Sequence, residues 1–128
     1  MALILIDTCM WVPFFNRPGS AEKKEIDSLL DDDRAALIGP IVTEILRGIL
    51  REPRADYVAS QLRGVNCLEI LWDDWTGAAR IGRRLASQGN QLPLSDLVLA
   101  AVSLRIDAEI YTIDPHFDLL PQLKRFRP

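Results

Sequence analysis

The stretch LILIDTC, residues 3–9, decides the fold class of this chain. Four consecutive apolar residues run directly into an aspartate, Asp7. A continuous apolar run of this length is typical of a strand that is buried on both faces, as in a parallel sheet covered by helices. Ligands bind beyond the carboxyl ends of such strands, so Asp7 stands where chemistry is expected.

Outward from this stretch, short apolar runs alternate with longer helical patterns. The predicted strands are 2–6, 35–39, 67–72 and 109–113, with a short edge strand in the C-terminal KRFRP at 124–128. The predicted helices are 22–30, 40–50, 53–64, 75–86 and 95–105. The alternation predicts one α/β domain over residues 1–128, with a mostly parallel central sheet of four to five strands flanked by helices on both faces.

Length and composition exclude several classes of protein. A chain of 128 residues can bury a core without a disulfide, and two cysteines with one histidine are too few for a zinc site made of Cys and His. Both cysteines, Cys9 and Cys67, are predicted to be small buried residues of a reduced protein. No apolar run reaches the length of a membrane span and no signal peptide is evident, which predicts a soluble, cytoplasmic protein.

Two aspartates occupy strand ends in this reading. Asp7 follows the first strand, and Asp114 stands in the same relation to the strand EIYTI at 109–113. Aspartate is also a common turn and N-cap residue, so a purely structural role stays open for each of them.

Two further acids lie in predicted helices. Glu44 is the only acid in the helix IVTEILRGIL at 41–50, where an ion pair with Arg47 would also explain it. Asp96 begins the most apolar helix, where a negative charge favours the helix dipole and Ser95 could serve as the cap.

Taken together, the four acids suggest a site for a hard divalent cation. Mg²⁺ and Mn²⁺ take oxygen ligands, and phosphodiester hydrolysis needs a cation that activates water and offsets phosphate charge. The chain has no phosphate-binding GxxxxGK[ST] loop, no GxGxxG and no GxSxG. Close carboxylates repel one another, so at least one of the four is predicted to have a raised pKa in the metal-free protein.

Four blocks of the sequence resemble those of the PIN domain, and the length resembles the VapC-type toxins of bacterial toxin–antitoxin pairs. The blocks are ILIDTCMWV at 4–12, VTEILRG at 42–48, PLSDLVLAAVSL at 93–104 and IYTIDPHF at 110–117. The resemblance implies a PIN-like nuclease domain over the whole chain, acting as a Mg²⁺- or Mn²⁺-dependent endoribonuclease toxin. It also implies an RNA substrate, a cognate antitoxin and a homodimer.

The resemblance also assigns residues. It implies that the catalytic, metal-binding acids are Asp7, Glu44, Asp96 and Asp114, supported by the hydroxyl residues Thr8 and Thr112. The sequence departs from the family pattern directly after the fourth acid, at Pro115, where many relatives carry a charged or polar residue.

Several other residues have a possible functional role and an alternative structural one. Trp11, Arg47 and Arg51 are candidate RNA contacts, through base stacking or phosphate binding, although solvated faces are the usual place for such arginines. Trp72 is predicted to pack in the core or a dimer, at the end of a strand. His116 could be a general base, but a lone histidine beside a proline in a loop is interpreted as a surface or turn residue, and an activated water makes a histidine base unnecessary.

Three other functions stay open at this point. A phospho-acceptor domain would need a lysine near its aspartates, and the lysines Lys23, Lys24 and Lys124 do not end strands. A phosphatase with an aspartyl nucleophile would want an acid at position 9, where the chain has Cys9. A catalytically inactive PIN-like module that binds RNA or a protein partner is also consistent with the sequence.

Overall fold

The computed structural model describes residues 2–128. Its five strands form one sheet in the order β3-β2-β1-β4-β5, and every neighbouring pair is parallel. The strands are β1 (Ile4–Ile6), β2 (Ala35–Ile38), β3 (Asn66–Leu68), β4 (Glu109–Tyr111) and β5 (Lys124–Arg125). The predicted α/β class and central parallel sheet are confirmed, including the short edge strand.

Helices cover both faces of this sheet, since every side chain of β1 and β2 is buried although successive side chains point to opposite faces. The first two helices, α1 and α2, pack against each other, α1 also contacts α3, and α5 packs along α6. The helices are α1 (Thr8–Asn16), α2 (Ala21–Asp31), α3 (Gly39–Arg47), α4 (Glu52–Leu62), α5 (Trp72–Ser87) and α6 (Leu94–Ile106), followed by a 3₁₀ segment (Pro115–Leu119). Within residues 2–128, no helix is long and apolar enough to cross a membrane.

Helix α1 is absent from the sequence prediction. Its residues are mostly aromatic, β-branched or proline, which are weak helix formers, and Pro13 lies inside it. Asp7 caps its N-terminus by accepting the N–H of Thr8 at 2.8 Å. The helix buries Trp11 completely, and its indole N–H donates to the carbonyl of Ile6 at 3.1 Å. The prediction that Trp11 contacts RNA is therefore wrong.

Helix α3 is shorter than its apolar pattern predicts. The pattern continues through Leu50, but the helix ends at Arg47 and Gly48 is its C-cap. Glycine weakens a helix by about 1 kcal/mol, and Pro53 shortly afterwards favours the start of a new helix. Leu50 lies in the connection and is 95% exposed.

The region after β3 also differs from its prediction. A strand through Trp72 is predicted, but β3 ends at Leu68 and Trp72 is the first residue of α5. The helix begins there because the carboxylate of Asp74 accepts the N–H of Leu71 at 2.9 Å. Trp72 is 77% exposed, so the predicted packing in the core is wrong, and packing in a dimer stays a prediction. Cys67, predicted to be buried, is exposed on the edge strand.

The strand order fixes where a ligand can bind. The chain places β2 on one side of β1 and β4 on the other, so the order reverses between the carboxyl ends of β1 and β4. In open α/β sheets, the crevice at such a reversal is the usual binding site. Asp7 follows β1 directly, and its N–H donates to the carbonyl of Tyr111, the last residue of β4.

Candidate active site

All four acids predicted from the sequence line one open cleft at this edge of the sheet. The cleft has a volume of about 310 Å³, and it draws side chains from the start of α1, from α3, from the start of α6 and from the segment after β4. Its lining residues are Asp7, Thr8, Cys9, Glu44, Arg47, Pro93, Ser95, Asp96 and Asp114. The structure thus brings together acids that lie far apart in the sequence.

Asp7 is held on both carboxylate oxygens. Oδ1 accepts the N–H of Thr8, and Oδ2 accepts the hydroxyl of Thr112 at 2.8 Å. Burial raises the pKa of the Asp7 carboxyl above its usual value, although these hydrogen bonds oppose the shift. The Cys9 thiol lies 3.5 Å from Oδ2 of Asp7, so this predicted core residue lies at the cleft instead.

Glu44 is also fixed by two hydroxyl groups. The hydroxyl of Thr8 donates to Oε1 at 2.7 Å, and that of Ser95 donates to Oε2 at 2.8 Å. Ser95 is therefore not the cap of α6, which begins after Pro93 and has no side-chain cap. No ion pair joins Glu44 to Arg47 among the residues described.

Asp96 and Asp114 meet at the imidazole of His116. The Nδ1 atom of His116 lies 2.9 Å from Oδ2 of Asp96 and 3.3 Å from Oδ1 of Asp114. One donor atom from each of the three residues lies within 4.8 Å of the other two. The sequence interpretation set His116 aside as a surface or turn residue, but the short turn after Asp114 brings its ring to the cluster.

The electrostatics of the cleft favour a bound cation. Burial raises the pKa of Asp96 to about 6, the neighbouring charges of Asp7 and Asp114 add to the increase, and the hydrogen bond with His116 opposes it. The hydrogen bond to Asp96 raises the pKa of His116. The predicted raised pKa is confirmed, but burial contributes more than the mutual repulsion on which the prediction rested.

Of the two arginines predicted to contact RNA, one lines the cleft and the other does not. Arg47 is exposed at the lining of the cleft, whereas Arg51 is exposed at the N-terminus of α4 and does not line it. The lysines are engaged elsewhere or exposed: Lys23 pairs with Asp27, and Lys124 pairs with Asp107. No described lysine lines the cleft, which argues against the phospho-acceptor alternative.

Comparisons with known protein sequences give matches over nearly the whole chain. A family model described as PIN domain matches residues 4–123. The chain is 32% identical over 127 residues to ribonuclease VapC11 of Mycobacterium tuberculosis, covering 94% of this chain and 93% of that one.

Solved structures share the fold at lower sequence identity. The crystal structure of DNA-bound VapBC from Salmonella typhimurium aligns with a TM-score of 0.84 at 15% identity, covering 98% of each chain. That of VapC20 from Mycobacterium tuberculosis, a toxin that cleaves the sarcin–ricin loop, aligns with a TM-score of 0.71 at 18% identity, covering 98% of this chain and 99% of that one.

Proposed function

Because this chain belongs to the PIN domain family, we propose that it is a metal-dependent endoribonuclease acting as the toxin of a toxin–antitoxin pair. The observation that carries the proposal is the convergence of Asp7, Glu44, Asp96 and Asp114 on one cleft. The similarity to ribonuclease VapC11 over nearly the whole chain supports the same activity.

The donor set of the cleft fits a divalent cation such as Mg²⁺ or Mn²⁺. Asp96, Asp114 and His116 offer ligand atoms close to one another, and Asp7 lies beside them with its carboxylate already oriented. A cation held there would lower the pKa of a bound water molecule and would offset the negative charge of the scissile phosphate.

The remaining groups orient the acids and meet the substrate. Thr112 donates a hydrogen bond to Asp7, while Thr8 and Ser95 donate to Glu44. These two carboxylates are therefore already oriented before RNA binds. Arg47 at the lining places a positive charge where an RNA phosphate would pass. We expect no such contact from Trp11, which is buried.

The partner we propose is a cognate antitoxin. The similar solved structures include VapBC toxin–antitoxin complexes, among them the complex from Salmonella typhimurium. An antitoxin could restrain the enzyme by placing a basic side chain among the carboxylates of the cleft.

A second copy of this chain is the other proposed partner. A mainly apolar cavity of about 400 Å³ adjoins the cleft and shares Glu44, Arg47, Pro93 and Ser95 with it. Its lining includes Trp75 and Leu94, which are 42% and 68% exposed. Large exposed apolar side chains grouped in this way are typical of an interaction surface.

The activity is tested with purified protein, RNA and Mn²⁺. Asp7→Asn and Asp96→Asn should each lower the cleavage rate by about 100-fold or more, because the amide keeps the shape but removes the charge that holds the cation. The matched control is Asp56→Asn, an exposed acid on α4, which should cleave like wild type. Circular dichroism checks that every variant is folded.

Two results would contradict the proposal. Near-normal cleavage by either Asp7→Asn or Asp96→Asn would remove these acids from the catalytic site. A wild-type protein that cleaves no RNA in Mn²⁺ would instead favour the inactive binding module.

A further inference from the structure

His116 lies over the acidic cleft because of the turn that precedes it. Asp114 caps the 3₁₀ segment Pro115–Leu119, and its Oδ1 accepts the N–H of His116 at 2.9 Å. Pro115 restricts the backbone at the first position of this turn. The departure from the family pattern at Pro115 therefore helps to place the imidazole beside Asp96.

The distances around the ring match the spacing of ligands around one cation. Nδ1 lies 2.9 Å from Asp96 and 3.3 Å from Asp114. Around an ion with bonds of about 2.1 Å, neighbouring ligand atoms are separated by roughly 3 Å. All three donor atoms lie within 4.8 Å of one another, so a small inward shift of the carboxylates brings them to a single ion, and Nδ1 exchanges its hydrogen bond with Asp96 for the bond to the metal, releasing any proton it carries to solvent. The ring is 44% exposed, so its position does not follow from packing in the core.

We propose that His116 is a direct ligand of the cation through Nδ1, together with Asp96 and Asp114, and that it determines which cation the cleft prefers. The inference rests on the proposed function, since it concerns the metal of the same site. It adds a nitrogen to a donor set that the sequence predicted to consist of oxygens alone.

A nitrogen ligand changes the order of preference among divalent cations. Carboxylate oxygens and water suit Mg²⁺, whereas imidazole suits transition metals such as Co²⁺ and Zn²⁺. With the imidazole of His116 among its ligands, the cleft should favour Co²⁺ and Zn²⁺ over Mg²⁺ more strongly than an all-oxygen site would. Removal of the ring should reduce this preference without abolishing metal binding, because Asp7, Asp96 and Asp114 stay in place.

The first experiment observes the ring directly. His116 is the only histidine in the sequence, so its imidazole ¹⁵N resonances in a tag-free protein need no assignment. One equivalent of Zn²⁺, which is diamagnetic, should shift the Nδ1 resonance of the metal-free protein, and chelator should reverse the shift. An Nδ1 resonance that does not respond to Zn²⁺ would overturn the proposal. The measurement needs no variant and no RNA.

The second experiment measures metal affinity by calorimetry, with Mg²⁺ and Co²⁺ as the probes. His116→Asn places an amide near the position of Nδ1 and should weaken Co²⁺ binding by about 10- to 100-fold, with little change for Mg²⁺. The control is Asp118→Asn in the same 3₁₀ segment, whose carboxylate accepts a hydrogen bond from Arg125 at 3.1 Å and not from the cluster. It should bind both ions like wild type.

The outcomes separate this inference from the proposed function. If His116 were only a counter-ion for the acids, His116→Asn would bind both cations more tightly, which would overturn the inference. RNA cleavage by a wild-type protein whose Nδ1 ignores Zn²⁺ would support the nuclease and reject the ligand. A shifted Nδ1 resonance in a protein that cleaves no RNA would support the ligand and reject the nuclease.

Discussion

At the scale of single residues, hydroxyl groups determine how the acids of the cleft are presented. Thr112 donates to Asp7, and Thr8 and Ser95 donate to the two oxygens of Glu44. Each hydrogen bond stabilises the ionised form of its acceptor and restricts its orientation. The cleft can therefore keep charged groups partly buried before any cation arrives.

The burial of these acids, which outweighs their hydrogen bonds, predicts that the metal-free protein is less stable at neutral than at acidic pH. Burial raises the pKa of Asp96 from its usual 3.8 to about 6, so folding favours the protonated acid. The stabilisation is fully present below the unfolded value and is lost as pH rises through about 6. The raised pKa of His116 acts in the same direction, since its contribution is present below 6.5 and is lost as pH rises through the folded value.

The free energy of unfolding in chelator should fall by up to roughly 3 kcal/mol between pH 4 and pH 7, as urea titrations would show. Asp96→Asn should remove the part of this dependence that Asp96 contributes, while the raised pKa of Asp7 preserves the rest, and the variant should be more stable than wild type at pH 7 without metal. A wild-type protein whose stability does not change over this range, or an Asp96→Asn variant that is less stable in chelator, would contradict the prediction.

At the scale of elements, an ion pair between the buried Asp74 and the exposed Arg105 joins the start of α5 to the end of α6. Arg105 donates to Asp74 at 2.8 Å, and it also donates to the carbonyl of Glu69. Asp74 is 1% exposed and caps α5 through the N–H of Leu71. Burial raises the pKa of the Asp74 carboxyl, but the hydrogen bonds from Arg105 and Leu71 outweigh it and lower the pKa below its usual value.

Asp74→Asn should lower the free energy of unfolding by about 1–3 kcal/mol at pH 7, because it leaves part of a buried hydrogen-bond network unsatisfied. The loss should shrink as pH falls below the unfolded pKa, where the contribution of a carboxyl with a lowered pKa disappears. The neighbouring exposed acid supplies the control, since Asp73→Asn should change stability little. Equal losses in the two variants would show that Arg105 does not stabilise the junction.

Most elements of this fold were predicted from the sequence, and the exceptions have physical reasons. Five of the six α-helices were predicted, because their apolar residues recur every three or four positions or fill a buried core, as in α6. Helix α1 was not, since the packing of Trp11 in the core overrides weak propensities and an internal proline. Trp72 was misplaced because it continues the apolar run CLEILW at 67–72, whereas α5 begins there with Asp74 accepting the N–H of Leu71.

The candidate site, like the fold, was predicted only in part from the sequence. Asp7 and Asp114 were predictable because strand ends of a parallel sheet meet at one edge, which the apolar runs before them indicate. His116 was not, because its contact with Asp96 depends on the course of a single turn. The hydrogen bond from Ser95 to Glu44 was not predictable either, since the two residues lie on different helices.

At the scale of the whole molecule, the apolar cavity beside the cleft predicts self-association. Leu94→Glu should weaken the proposed dimer by at least about tenfold in dissociation constant, because it places a charge in the surface that a second copy would cover. The control is Leu104→Glu on the same helix, since Leu104 is also exposed, at 42%, but lines a different cavity. Sedimentation velocity distinguishes the states, and a wild-type protein that is monomeric at high concentration would reject the dimer.

The strand order also governs when the cleft can form during synthesis. Asp7 belongs to the first part of the chain to be made, but the hydroxyl that holds it, on Thr112, lies 105 positions later. The central strand β1 likewise pairs with β4, which is translated near the end. Such distant pairings form late and slowly. A ribonuclease assembled in this way is harmless to its own messenger RNA for most of the time it takes to translate it.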